Sequence, residues 1–143
     1  REVVNRVHEA DIEIIGNYLF GLPGDDMESM RKTLELGLEL CTIAWNGYAT
    51  MALPGSALYK EAIQQGYQLP DDYLGYSFHS YNTIPLPTKS LTAAAVLRFR
   101  DSAFIEYHSN GRFLAKVEQR YGELAVKNIK EMTQIKLKRK ILE

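Results

Sequence analysis

The sequence predicts an α/β fold: consecutive β-turn-α units forming a parallel sheet covered by helices, followed by a helical tail. Three observations carry that expectation. Residues 12–20 are a strongly apolar run that enters Gly21-Leu22-Pro23-Gly24, and an amphipathic helical pattern follows. Residues 44–53 repeat the arrangement, with Pro54-Gly55-Ser56 as the turn. From Ser90 onward apolar residues recur at helical spacing and no further strand pattern occurs. In folds of this class ligands lie beyond the carboxyl ends of the strands, which is where the two turns fall.

Each element has a local cause. Residues 1–10 place Val3, Val7 and Ala10 on one side of a helix. Asp25, with Glu28 three positions on, resembles a capping box. It opens a helix carried by Met27, Met30, Leu34 and Leu38 to about Cys41. Ser56 caps a short helix that Gly66 ends. Residues 67–89 hold Pro70, Pro85, Pro87 and several tyrosines without periodicity, the composition of a segment that wraps a surface. Val96, Phe99, Ala103, Phe104 and Tyr107 share one face of the next helix, which Asn110-Gly111 breaks. Phe113, Leu114, Val117 and Tyr121 mark a shorter helix ended by Gly122, and a further helix leads to a basic end. The chain thus divides into β-α units over 1–66, a Pro/Tyr-rich segment over 67–89 and a helical tail over 90–143.

The chain has 143 residues, enough for a sizeable core, and a formal net charge of -1. No global field recruits nucleic acid or an anionic membrane, and no apolar run suits a bilayer span. One cysteine, Cys41, can form no internal disulfide and cannot by itself ligate a cluster. A cytoplasmic location is expected. The opening residues read as a helix entered midway, as in an excised piece of a longer protein.

Alternation sorts the strands into faces. Ile12, Ile14, Gly16, Tyr18 and Phe20 share the drier face, assigned to the covering helices. Glu13, Ile15, Asn17, Leu19 and Gly21 share the other. In the second strand Trp45, Gly47, Ala49, Met51 and Leu53 oppose Asn46, Tyr48, Thr50 and Ala52. One apolar and one partly polar face suit the lining of an open or incomplete barrel with a ligand in its lumen. The alternative is a sheet with one wet face.

Residues 17–26, Asn-Tyr-Leu-Phe-Gly-Leu-Pro-Gly-Asp-Asp, resemble the fifth-strand segment of radical S-adenosylmethionine enzymes. Residues 49–59, Ala-Thr-Met-Ala-Leu-Pro-Gly-Ser-Ala-Leu-Tyr, resemble their sixth strand and the turn after it. The similarity is strongest to the subgroup that often carries a cobalamin-binding domain. It extends more loosely through Pro85-Leu86-Pro87-Thr88 and Leu97-Arg98-Phe99-Arg100-Asp101.

The resemblance implies the C-terminal part of a partial (β/α)₆ TIM-type barrel. It implies an iron-sulfur oxidoreductase or methyltransferase whose [4Fe-4S] cluster cleaves S-adenosylmethionine, giving a radical that abstracts hydrogen from substrate, with cobalamin as a further cofactor. The Cys-x₃-Cys-x₂-Cys cluster loop is absent from these residues, so the chain alone is expected to be inactive, with no catalytic and no metal-ligating residue of its own. Aligned on Gly21, the family's Gly-x-Ile-x-Gly-x-x-Glu pattern puts Asn17 at the first Gly, Leu19 at the Ile that packs on adenine, and Gly24 at the Glu. The backbone at Thr50, Met51, Ala52 and Leu53 inherits the contact with the adenine edge. Asn46 and Tyr48, deeper on the same face, become substrate contacts. The substrate itself, small molecule or macromolecule, is not legible.

Other motifs give less. The Gly21–Gly24 turn could cradle an anion, but lacks P-loop and dinucleotide spacing and reads as a plain strand-helix turn. His8, His79 and His108 lack paired-ligand spacing; His79, among tyrosines, stands nearest to a substrate role. Cys41 reads as buried and inert. Lys136, Lys138, Arg139 and Lys140 read as a solvated helix face, without the aromatics that stack on bases, so nucleic acid is not an expected partner. A non-catalytic module that binds a protein through the tyrosine-rich segment and basic tail is the competing reading. Raw barrel edges also predict self-association, unless the tail folds over them.

Overall fold

The computed structural model describes residues 1–143. It is a mixed α/β fold, mostly helical, with six α-helices around one two-stranded parallel sheet. In chain order these are α1 (Glu2–Glu9), β1 (Ile15–Phe20), α2 (Met27–Leu40), β2 (Ala44–Ala49), α3 (Ala57–Gln64), α4 (Ala93–His108), α5 (Gly111–Tyr121) and α6 (Glu123–Gln134). Short 3-10 turns occur at Tyr73–Tyr76 and Lys140–Leu142. No helix is long and apolar enough to cross a membrane.

β1 and β2 are hydrogen-bonded neighbours in register, with Ile15 opposite Ala44 and Phe20 opposite Ala49. Both strands are shorter than expected. The chain leaves α1 through Asp11 in the left-handed region (φ 55°), and the Ile12 N–H turns back to Val7 O at 3.1 Å. This helix-ending motif takes up the backbone on which the first residues of a longer strand depend. At the other end Thr50 O accepts from Leu86 N–H at 2.9 Å, so the wrapping segment captures the chain just past β2.

Within the two strands alternation places the faces as the sequence indicated, but Ile12, expected on the covered face, is exposed, and Gly21, expected on the open face, backs onto Val96 of α4. Gly16, Tyr18 and Phe20 of β1 and Trp45, Gly47 and Ala49 of β2 face the helices, whereas Ile15, Asn17, Leu19 and Asn46 are exposed. The covered face meets α2 and α4, where Phe20, Met30, Leu34, Trp45, Val96, Leu97 and Tyr107 form the main core. Trp45 stacks on Tyr107 with ring centroids 5.2 Å apart, and the Tyr107 hydroxyl donates to Thr42 O at 2.7 Å. The burial of this hydroxyl raises its pKa above the ordinary phenol range.

Two local expectations are corrected. The N-cap of α2 is Asp26, which exchanges bonds with Ser29: the Ser29 N–H donates to Asp26 Oδ1 at 2.8 Å, and the Asp26 N–H donates to Ser29 Oγ at 3.0 Å. Asp25 instead spans the turn, accepting from the N–H groups of Gly21 and Leu22 at 3.0 and 2.9 Å and from Ser29 Oγ at 2.7 Å. The basic end is no helix face either. The last α-helix stops at Gln134, and the strap after it carries Arg139 into the interior. The caps predicted at Ser56, before α3, and at Gly122, after α5, occur where expected.

Candidate functional site

The carboxyl ends of β1 and β2 lie side by side because the two strands run parallel and in register. Leu19 sits opposite Tyr48 and is 51% exposed on the open face. One step deeper, Asn46 Nδ2 donates to Asn17 Oδ1 at 3.1 Å across the strands. The Tyr48 ring packs on Phe78, with centroids 4.8 Å apart, so a residue of the wrapping segment borders this face. Asn17, Leu19, Asn46 and Tyr48 are therefore gathered on one surface.

The residues after β2 divide by what their backbones do. Thr50 is spent on the fold: its N–H and hydroxyl both donate to Phe20 O, at 2.8 and 3.1 Å, and its carbonyl accepts from Leu86. Leu53 O accepts from Ser56 N–H at 3.0 Å in the turn. Between them, the N–H and C=O groups of Met51 and Ala52 make no hydrogen bond within the chain, and the Leu53 N–H makes none. Yet Met51 and Ala52 are buried as whole residues, 8% and 3% exposed, Ala52 against Ala62 and Leu86. Backbone groups of this kind in well-packed segments normally find partners. Their peptide groups are thus largely enclosed while having no partner within the chain.

Gly21 has a structural duty. Its φ of 81° and the 2.4 Å separation between an added Cβ and Val96 Cγ1 exclude any other residue without displacement. Its N–H belongs to Asp25, so the anion cradle that the turn could have formed is filled by the chain's own carboxylate.

Metal ligation finds no donor set on these residues. No three His, Cys, Asp or Glu side chains converge. Cys41 is buried in the left-handed C-cap of α2, and its carbonyl accepts from Lys116 Nζ at 2.8 Å.

Two groupings escaped sequence reasoning. A cleft of about 330 Å³ opens at the opposite, amino ends of the strands, bordered by His8, Ile12, Ile14, Ile43, Lys116 and Arg120. Its charges are largely satisfied internally, with Arg120 Nε and the Tyr121 hydroxyl both donating to Glu13, at 2.9 and 2.7 Å. The second grouping is a buried ionic cluster of Arg100, Asp101 and Arg139. Only a basic pair next to an acid in Arg98-Phe99-Arg100-Asp101 hinted at it.

Compared with protein-family models, curated proteins and solved structures, the chain matches none.

Proposed function

We propose that the chain is the C-terminal wall of a radical S-adenosylmethionine iron-sulfur enzyme, lining the adenine and substrate side of its cavity. The observation that carries this reading is the set of unpartnered peptide groups at Met51 and Ala52, just past the end of β2, the strand paired with that of Leu19. An adenine edge presents one donor and adjacent acceptors in a plane, which suits a short run of extended backbone. Leu19 supplies an apolar contact for the ring, and the Asn17–Asn46 pair and Tyr48 supply polar contacts further along the face. In this account S-adenosylmethionine, bound to a cluster whose ligands lie outside these residues, supplies the radical chemistry. The residues present bind, orient and exclude water.

The two sheet edges support the same reading. Along β2, Gly47 O accepts from Arg100 Nε at 2.7 Å, and Trp45, Gly47 and Ala49 are buried. Along β1, the ladder to β2 uses the backbone of alternate residues, so that of Ile15, Asn17 and Leu19 points away from the sheet. One edge is closed and the other is open to a further strand. Such a strand comes from the remainder of a barrel or from a second copy of the chain.

Equilibrium dialysis with S-adenosylhomocysteine tests the proposal on the chain itself. Saturable binding that Leu19→Asp abolishes, with the fold retained by circular dichroism, is the expected result. Absence of binding, or binding indifferent to Leu19→Asp, contradicts it. Tyr73, 86% exposed, and its neighbour Leu74 favour a second reading, a protein contact through the wrapping segment. Cross-linking from a photoreactive residue at 73 to a second polypeptide is its readout.

A further inference from the structure

Arg100 and Arg139 are almost wholly enclosed, with side chains 6% and 0% exposed, and they share one carboxylate, Asp101. Arg139 is fully partnered. Its Nε and Nη2 grip Asp101 at 2.9 Å each, Nη2 also reaches Phe78 O, and Nη1 donates to Ser80 O and Thr83 Oγ1. Arg100 is not. Nε donates to Gly47 O and Nη1 to Asp101 Oδ1, while Nη2 has no partner. Trp45 Nε1 is the only completely enclosed side-chain nitrogen or oxygen without one, so Arg100 Nη2 retains some contact with solvent.

Two guanidiniums against one carboxylate leave one positive charge without a counter-ion, met only by the Phe104 ring, whose centroid is 5.5 Å from Arg100 Cζ. Retaining such a charge is costly unless an anion answers it. His79 lies in the chain between Phe78 and Ser80, whose carbonyls both hold Arg139, the guanidinium that shares Asp101 with Arg100. Its ring makes no hydrogen bond within the chain and is exposed. Partial burial, then the fields of Arg100 and Arg139, partly offset by Asp101, hold its pKa below the ordinary imidazole value. Phe78, which packs on Tyr48, joins this spot to the open face of the sheet.

We infer that Arg100 Nη2 and His79 form an oxyanion site, taking a carboxylate or phosphate group of a ligand that lies across Tyr48 and Phe78. A guanidinium edge and an imidazole N–H are donors suited to such a group, and charge assistance strengthens both bonds. The inference rests on the proposed function and narrows its substrate to an anionic class.

The test follows the His79 imidazole resonances of the chain by NMR. Inorganic phosphate and acetate are titrated separately, against chloride at equal ionic strength. A saturable shift at His79, with its titration midpoint raised by the bound anion, is the expected result. Whichever anion saturates at the lower concentration names the group. His79→Gln, at a side chain with no bond to lose, is expected to weaken anion binding several-fold, read from the Arg100 guanidinium signal. Arg100→Lys is expected to abolish the His79 shift, with folding checked by the core resonances of Trp45. Equal responses to chloride and both oxyanions, or no response at His79 in the folded chain, overturn the inference. If S-adenosylhomocysteine still binds in that case, the adenine wall stands and only the oxyanion site falls.

Discussion

Asp101 is the one carboxylate that the two enclosed guanidiniums share. Asp101→Asn keeps the shape and removes the charge. Breaking a buried pair in this way costs about 3–5 kcal/mol, and urea denaturation is expected to show a loss of that order. Gly21→Ala acts through sterics. Its φ of 81° and the approach of Val96 combine local strain with displaced packing, for an expected loss of about 1–3 kcal/mol in the same assay. His108 sets a pH dependence. Burial first, and the Arg100 guanidinium after it, hold His108 below its ordinary value of 6.5, and the backbone bond to Phe104 only partly offsets them. The unfolded chain therefore takes up a proton that the folded chain resists, so the unfolded state binds more protons and stability rises with pH. The contribution is complete above the unfolded value and fades as pH falls through it toward the folded one. Between about pH 7 and pH 5 the wild type is expected to lose stability more steeply than His108→Phe.

At the scale of elements, the helices and their caps were largely legible because capping and amphipathic spacing are local. Ser56 and Gly122 sit where those rules put them, and Asn110, read as a break, also caps α5. The division of labour between Asp25 and Asp26 was not, since both satisfy the same short pattern and only the turn geometry chooses between them. Asp26→Ala removes the true cap and is expected to cost about 1 kcal/mol. Asp25→Ala instead leaves the Gly21 and Leu22 N–H groups without their acceptor, and is expected to loosen the turn, read as faster amide exchange at those two residues. The faces of β1 and β2 followed from alternation, but the strand lengths did not. Where each strand stops depends on the Ile12–Val7 and Leu86–Thr50 bonds, the first closing α1 and the second reaching far along the chain. The same long-range dependence explains Arg139. Its composition suggested a solvated tail, and its burial arises from carbonyls at Phe78 and Ser80 that no local pattern announces.

For the molecule as a whole, the asymmetry of the sheet matters most. The free side of β2 is buried, with Arg100 on Gly47 O, whereas β1 offers exposed Ile15, Asn17 and Leu19, its outer edge bonded only by the Asn17 amide to Ile15 O. Sedimentation is expected to show concentration-dependent self-association of the chain, reduced by Ile15→Lys, because a charge on an edge strand opposes further pairing. A monomer at every concentration would contradict that. The central claim concerns the strand ends, and amide-resolved NMR of the chain with S-adenosylhomocysteine tests it most directly. The account predicts saturable shifts of the Met51, Ala52 and Leu19 amides, with Thr50, whose N–H is already bonded to Phe20, moving least. A folded chain whose Met51 and Ala52 amides stay in place while others respond, or in which none respond, would contradict it.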